Sequence, residues 1–373
     1  MKYYIVAGEP SGDLLGSYLM KSIKKLDSNA DFRCWGGDLM EAQGGEIIKH
    51  YNELAFMGFW EVAKNLRTIL KNFTICKVDI LLYEPDVMIL IDYPGFNLRI
   101  AEFAKEQNIR VVYYVSPQIW AWKKNRIYKI IRDVDTMITI LPFETDFYAK
   151  YNYKTYYVGH PLLDVIHDEK QHDDWQTFQK NYHLDERPVI AVLPGSRRQE
   201  IKKMLPVMVK MAELFPKYQF LISKVPWLPP SVYQSHLKNK PLILFEGNTY
   251  SLLRHARAAI VTSGTATLET ALWNVPQVVC YKGSLISYLI GRMLVSRQVK
   301  YISLVNLILD KPAVTELIQY KCNPKNLYRE VANILNNYPV MDAMKNDYKQ
   351  LRKMLGDTGA SQRAAKLIVK DEI

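Results

Sequence analysis

Apolar residues in this chain gather into two series of short unbroken runs, and between the runs they recur at every third or fourth position. The first series is Tyr3–Val6, "VMILID" (87–92), "RVVYYV" (110–115) and "DTMITI" (135–140). The second is "PVIAVL" (188–193), "QFLIS" (219–223), "LILF" (242–245), "AAIVT" (258–262) and "QVVCY" (277–281). A short apolar run reads as a strand and the wider spacing as a helix, so the alternation predicts parallel strands joined by helices. Two such series predict an α/β chain of two doubly wound parallel-sheet domains. The polar stretch 167–187 is the expected linker, which puts the first domain at 1–166 and the second at 188–345, followed by a helical segment at 346–373. Open α/β sheets bind ligands at the carboxyl ends of their strands, so the expected site is a cleft between the domains.

Composition narrows this picture. At 373 residues and 49% hydrophobic content the chain has enough apolar surface for two cores. Its four cysteines, Cys34, Cys76, Cys280 and Cys322, form no C-x-x-C pair and no Cys/His cluster. That points away from structural zinc or a disulfide framework and toward a reducing cytoplasm. The chain starts on a core strand without the pattern of a signal peptide, and it lacks a run of about 18 apolar residues, so it is expected not to span a membrane. The net charge of +11 fits nucleic acid, a phosphorylated small molecule, an acidic membrane surface or simple solubility, and does not choose among them.

The candidate chemistry lies where strands give way to helices. "YYIVAGEPSGDLLGSYL" is a strand, a glycine-rich loop and a helix, yet Gly8, Gly12 and Gly16 fall every fourth residue. Neither the dinucleotide fingerprint nor the P-loop has that spacing. In "AVLPGSRRQEI", Gly195 and Ser196 precede a helix whose free N–H groups favour an anion, and Arg197 or Arg198 can add a bidentate contact. A surface turn with solvated arginines is the competing reading. "VTSGTATLETAL" joins strand to helix through Ser263–Thr267, with Glu269 able to accept from a ribose diol or to serve only as an N-terminal helix acid. In "LIDYPGFNLRIA", Asp92 ends an apolar strand and is either a general base or a helix cap. "YYVSPQIWAWKKNRIYKIIR" mixes Trp120 and Trp122 with Lys123, Lys124 and Arg126, a pattern open to nucleic acid, a sugar phosphate, or a covered core with solvated charges. His160 reads as a structural histidine.

Taken in order, "VAGEPSGDLLG", "LAFMGFWEV", "IDYPGFN", "YYVSPQIWAWKKNRIYKI", "LPFE" with "YVGHPLLD", "LPGSRRQEI", "SGTATLE" and "YISLVNLIL" resemble the lipid-A-disaccharide synthase family. The resemblance implies an inverting glycosyltransferase of the two-Rossmann GT-B type, peripheral to the cytoplasmic face of the inner membrane of Gram-negative bacteria. It implies transfer of 2,3-diacylglucosamine from its UDP conjugate to the 6-hydroxyl of 2,3-diacylglucosamine 1-phosphate, giving a β-1,6-linked disaccharide and UDP. Asp92 matches the family's base and Arg197 its cation for the leaving diphosphate. Gly8, Glu9, Ser11 and Gly12 are expected in a loop that lines the sugar site, and Asp13, Ser116, Trp120 and Lys123 among the substrate-binding residues. Gly195, Ser196, Ser263, Gly264, Thr265 and Ala266 are expected at the nucleotide with Glu269, and Asn306 and Glu316 near it. No D-x-D motif occupies a suitable loop, so neither metal nor other cofactor is expected, and the strand-end motifs leave a nucleic-acid partner unsupported. Another GT-B transferase using a UDP-sugar with a different acceptor is the alternative. In that architecture the C-terminal helix is expected to return to the first domain.

Two stretches bear on how acylated substrates are reached. In residues 59–77, Phe59, Val62, Leu66, Ile69, Phe73 and Cys76 mark one helical face and Lys64, Arg67 and Lys71 another. This is the pattern of a helix in an anionic membrane interface, and the expectation is that the apolar face meets lipid. Residues 285–300 are apolar enough for a membrane, a homodimer contact or the core.

Overall fold

The computed structural model describes residues 1–54, 66–121, 123–169, 174–237, 241–283 and 300–370. Phe59, Val62, Lys64, Trp122 and most of 285–300 lie outside them. The chain forms two compact units, Met1–Val165 with the chain from Leu355 onward, and Ile166–Leu289 with Val299–Met354.

The first unit is built on β1 (Lys2–Ala7), α1 (Pro10–Ile23), β2 (Asp31–Gly36), α2 (Asp38–Glu41), β3 (Glu46–His50), α3 (Leu66–Tyr83), β4 (Val87–Ile91) and α4 (Pro94–Glu106). It continues through β5 (Arg110–Tyr114), α5 (Ile127–Asp133), β6 (Thr136–Thr139), α6 (Pro142–Ala149), β7 (Tyr156–Tyr157) and the start of α7 (Leu162–Glu169). Its seven parallel strands run in the order β3-β2-β1-β4-β5-β6-β7. Every residue of β4 is buried, as an apolar run covered by helices on both faces should be.

The second unit holds α8 (Trp175–Asn181), β8 (Val189–Leu193), α9 (Arg198–Met208), α10 (Met211–Leu214), β9 (Gln219–Ser223), α11 (Ser231–Leu237), β10 (Leu242–Phe245), α12 (Thr249–His255) and β11 (Ala256–Thr262). After them come α13 (Thr265–Leu272), β12 (Gln277–Tyr281), α14 (Leu304–Leu309), β13 (Thr315–Ile318), α15 (Pro324–Asn336) and most of α16 (Tyr338–Leu355). Its six parallel strands run β10-β9-β8-β11-β12-β13.

Three expectations change here. The stretch 167–187 is not a linker: α8 folds within it, and Phe178 and Leu184 join the core under β8 and β9. The polar letters misled because the packing rests on a few scattered residues, Phe178 and Leu184 with the partly buried Trp175 and Tyr182. The apolar face of α3 does not meet lipid. Phe73, Cys76 and Ile80 are buried, Ile69 packs on the same core, and Phe73 stacks on Phe96 with ring centroids 4.4 Å apart. Losing such side chains costs about 2–5 kcal/mol each, so replacing them by Ser would unfold the unit rather than release it from a bilayer. Third, the C-terminal segment of the first unit begins at Leu355, nine residues later than 346. Within it α17 (Ala360–Val369) packs along α1, and Arg110 donates to the Leu367 and Ile368 carbonyls at 3.0 and 2.6 Å.

Candidate active site

In each sheet the strand order changes direction beside the first strand of the unit, between β1 and β4 and again between β8 and β11. Connections leaving those neighbours go to opposite faces of the sheet, which opens a crevice at their carboxyl ends. The loops that carry Gly8–Asp13 and Asp92 flank the first crevice, and those that carry Gly195–Arg197 and Ser263–Ala266 flank the second.

Around the first crevice the backbone is strained. Asp92 and Tyr93 both have left-handed φ, +44° and +46°, and the β-branched Val115 beyond β5 has φ +68°. Such conformations cost about 1–3 kcal/mol each and persist only where their surroundings over-determine them. Here the Asp92 carbonyl accepts from the Tyr113 hydroxyl at 2.5 Å and from Asn97 Nδ2 at 2.8 Å. The same Asn97 amide lies 3.3 Å from the Val6 carbonyl and 3.2 Å from that of Ile91, so one buried side chain ties β1, β4 and the turn together. The turn leaves the Asp92 side chain partly exposed at the strand end.

The glycine spacing is explained by packing. A Cβ on Gly8 would lie 2.5 Å from the Tyr93 ring, one on Gly12 3.1 Å from the Ala7 Cβ, and one on Gly16 2.8 Å from the Met40 sulfur. One face of the loop and α1 is thereby pressed against the sheet and Tyr93. Asp13 is buried, and its carboxylate accepts from the N–H groups of Gly37, Leu39 and Met40 at 2.8–3.1 Å. Burial raises its pKa against the pull of those bonds, and its work is to hold the start of α2. Glu9 and Ser11 sit partly exposed at the start of α1.

Ser116 is buried, with Oγ 2.8 Å from the Tyr148 hydroxyl, and the Trp120 ring meets Phe143 edge-on at 4.9 Å. Both surround Glu144, which burial drives up to about 8 although the Leu141 and Ile140 N–H groups, Trp120 and Ser116 act to lower it. Burial thus favours the protonated form of Glu144, which "LPFE" gave no sign of. Lys123 is exposed with φ +55°. His160 is buried and neutral, its pKa pushed down to about 3 by burial, with Nδ1 accepting from the Leu162 N–H.

Two helix N-termini face the second crevice, and they differ. At α9, Glu200 Oε2 accepts from the N–H groups of Ser196 and Arg197 at 3.0 and 3.3 Å, while Oε1 meets Arg197 Nη1 at 3.1 Å. Gly195, at φ +114°, makes room for it: a Cβ there would lie 2.6 Å from Oε2. The seat expected for a substrate anion is filled by the chain's own carboxylate. At α13, Gly264 and Thr265 are exposed, and a Cβ on Gly264 would meet nothing within 4 Å. Ser263 Oγ donates to the Ile302 carbonyl at 3.0 Å, and Ala266 is partly exposed. Glu269, on the same helix, is enclosed enough that burial raises its carboxyl to about 7, and among the described residues no hydrogen bond or ion pair reaches it.

Asn306 and Glu316 brace this loop from behind. Glu316 accepts from the N–H groups of Ile302 and Ser303, from Ser303 Oγ and from Asn306 Nδ2, all within 3.2 Å. Asn306 also exchanges two 2.9 Å bonds with the Val314 backbone. Their polar atoms are spent on scaffolding, so they act on the site through Ser263. Sequence reading missed Glu200, because a capping box normally announces itself by Ser or Thr at the N-cap and Arg197 stands there instead. Among the described residues no group of three His, Cys, Asp or Glu side chains is placed to hold a metal ion.

A profile of the lipid-A-disaccharide synthetase family matches residues 3–370. A lipid-A-disaccharide synthase of Syntrophus aciditrophicus is 40% identical over 97% of this chain and 95% of that protein. One from Coxiella burnetii is 36% identical over 98% of this chain and 96% of that protein. The structure is also similar to UDP-GlcNAc 2-epimerase from Neisseria meningitidis bound to UDP-GlcNAc, with a TM-score of 0.70 at 13% identity, covering 99% of this chain and all of the other. At that identity the likeness speaks to fold alone, and the fold is the two-domain GT-B architecture.

Proposed function

The chain belongs to the lipid-A-disaccharide synthetase family of glycosyltransferases, and on that premise we propose that it transfers 2,3-diacylglucosamine from its UDP conjugate to the 6-hydroxyl of 2,3-diacylglucosamine 1-phosphate with inversion, releasing UDP. The observation that carries the donor half is the open N-terminus of α13 with Glu269 behind it, which no described residue hydrogen-bonds or ion-pairs. Backbone N–H groups at that end suit a diphosphate, and a carboxylate without an internal donor suits the two hydroxyls of a ribose.

In the reaction the 6-hydroxyl oxygen of the acceptor forms a bond to C1 of the donor sugar as the bond from C1 to the phosphate oxygen breaks. Asp92 takes the hydroxyl proton, and UDP leaves with the electron pair. Charge grows on the diphosphate as it departs, so Arg197 and the α13 N–H groups bind the transition state better than the ground state. The strained turn at Asp92 fixes the base at a strand end, where a flexible loop would scatter it.

Acylated substrates call for contact with a bilayer at the cytoplasmic face of the inner membrane. Among the described residues no helix is long and apolar enough to cross a membrane. The outward face of α3 supports a peripheral contact instead: Leu70, Val78, Leu81 and Leu82 are each at least half exposed there, beside exposed Arg67 and Lys71. Apolar side chains edged by cations suit an anionic lipid surface.

The deciding experiment incubates the protein with both lipid substrates and follows UDP release and disaccharide formation together. Stoichiometric appearance of both products is expected. UDP release without a disaccharide, or neither product, removes this reading.

A further inference from the structure

Of the two helix N-termini at the second crevice, one already holds an anion. The Glu200 carboxylate takes the Ser196 and Arg197 N–H groups and the Arg197 guanidinium, and it lies over a glycine whose Cβ it would strike. Trp227 Nε1 donates to the Ser196 carbonyl at 2.9 Å and pins the same loop from its other side. A second anion in that seat would face a carboxylate at contact distance in a partly buried place, which like charges disfavour strongly. At the N-terminus of α13 the N-cap residue is Gly264, and among the described residues no carboxylate sits there as Glu200 does at α9.

We infer that Glu200 is a positioning residue for transfer: it holds the loop before α9 and the Arg197 guanidinium in the orientation that meets the leaving group, while the diphosphate goes to α13. The inference rests on the donor site proposed above. Arg197 is about two-fifths exposed, and a long side chain at such a position samples many rotamers unless something fixes it. The carboxylate fixes it at one end. Glu200 touches no substrate in this account and acts only through Arg197 and its loop.

The test compares Glu200→Ala, Glu200→Gln, Arg197→Ala and the double variant Glu200→Ala/Arg197→Ala, by calorimetric titration with UDP and by turnover with both lipid substrates. Glu200→Ala is expected to lower kcat about 10- to 100-fold, with UDP affinity changed less than about three-fold. Glu200→Gln keeps an oxygen for the two N–H groups and lies between it and the parent. In the Arg197→Ala background, removing Glu200 is expected to change kcat less than about two-fold, because the route through which it acts is gone. Independent, additive losses would make Glu200 an ordinary helix cap and overturn the inference. So would UDP binding Glu200→Ala tenfold tighter or more, because the carboxylate would then have been competing for the diphosphate's own seat. Failure of the parent protein to bind UDP would refute the donor site itself and is told apart by that control.

Discussion

The crevice beside β1 and the crevice beside β8 have the same topology and opposite chemistry. In the first, a carboxyl group stands at the strand end: Asp92 is partly exposed on a turn with two successive left-handed residues, and the glycines around it are pressed shut by Tyr93, Ala7 and Met40. In the second, the positive end is offered: a helix N-terminus stands open at Gly264, and the carboxylates nearby are either engaged, as Glu200 and Glu316 are, or without a partner among the described residues, as Glu269 is. A doubly wound sheet supplies the place, and short loops decide whether that place gives or takes negative charge. One fold used twice thus yields an acidic strand end in one unit and an open helix N-terminus in the other.

The sharpest way to break the contrast is at Asp92. Asp92→Asn is expected to lower kcat by about two to four powers of ten, while UDP affinity, which the donor site proposed in the other unit would supply, stays unchanged. A variant within a few-fold of the parent would move the base elsewhere. Glycine replacements come next. Gly8→Ala drives a Cβ into the Tyr93 ring and should cost about 1–3 kcal/mol of stability, seen as a lower denaturation midpoint and as lost turnover through the displaced Asp92 turn. Gly264→Ala, in nearly extended backbone with open space ahead, should change stability by less than about 0.5 kcal/mol yet weaken UDP binding. Equal melting of the two variants would erase the distinction between a packing glycine and an approach glycine.

The smallest effect is a titration. Glu269 has its carboxyl raised to about 7, so it is largely protonated at pH 6 and largely ionised at pH 8. An ionised carboxylate accepts from both ribose hydroxyls through stronger, charge-assisted bonds, so uridine affinity should rise a few-fold across that range. Uridine carries no phosphate to confuse the readout. Glu269→Gln should flatten the profile. The linkage to folding has the opposite sign: a carboxyl raised above its ordinary 4.5 favours the folded state below that pH and loses the benefit as pH rises through about 7. A flat uridine profile in the parent would remove Glu269 from the ribose.

Much of this was legible in the letters, for reasons that vary along the chain. β9, β10 and β12 coincide with "QFLIS", "LILF" and "QVVCY", because short apolar runs between helical patterns have few other readings. β2, β3 and β13 were not read, since Arg33, Glu46, Lys49 and Glu316 interrupt them as solvent or loops do at sheet margins. The face of α3 was read correctly and its partner wrongly. Periodicity finds an apolar stripe, but Phe96, which covers it, is 23 residues away from Phe73. The motifs at the four strand ends were visible as residue types in place. The left-handed turn at Asp92 was not, because the groups that enforce it, Asn97 and Tyr113, act through tertiary bonds.

The return of the chain to the first unit at Leu355 sets an order of events during synthesis. The His160 N–H donates to the Leu355 carbonyl at 3.1 Å, and Asp164 accepts from the Gly359 and Ser361 N–H groups, so the outgoing and incoming segments are stitched side by side. Residues up to Val165 leave the ribosome first, but the helix that covers α1 follows only after the whole of the second unit. At about 5–20 residues per second that delay is on the order of 10–40 s. Through that interval the nascent first unit carries an uncovered apolar surface, and a chain cut short before Leu355 would keep it permanently.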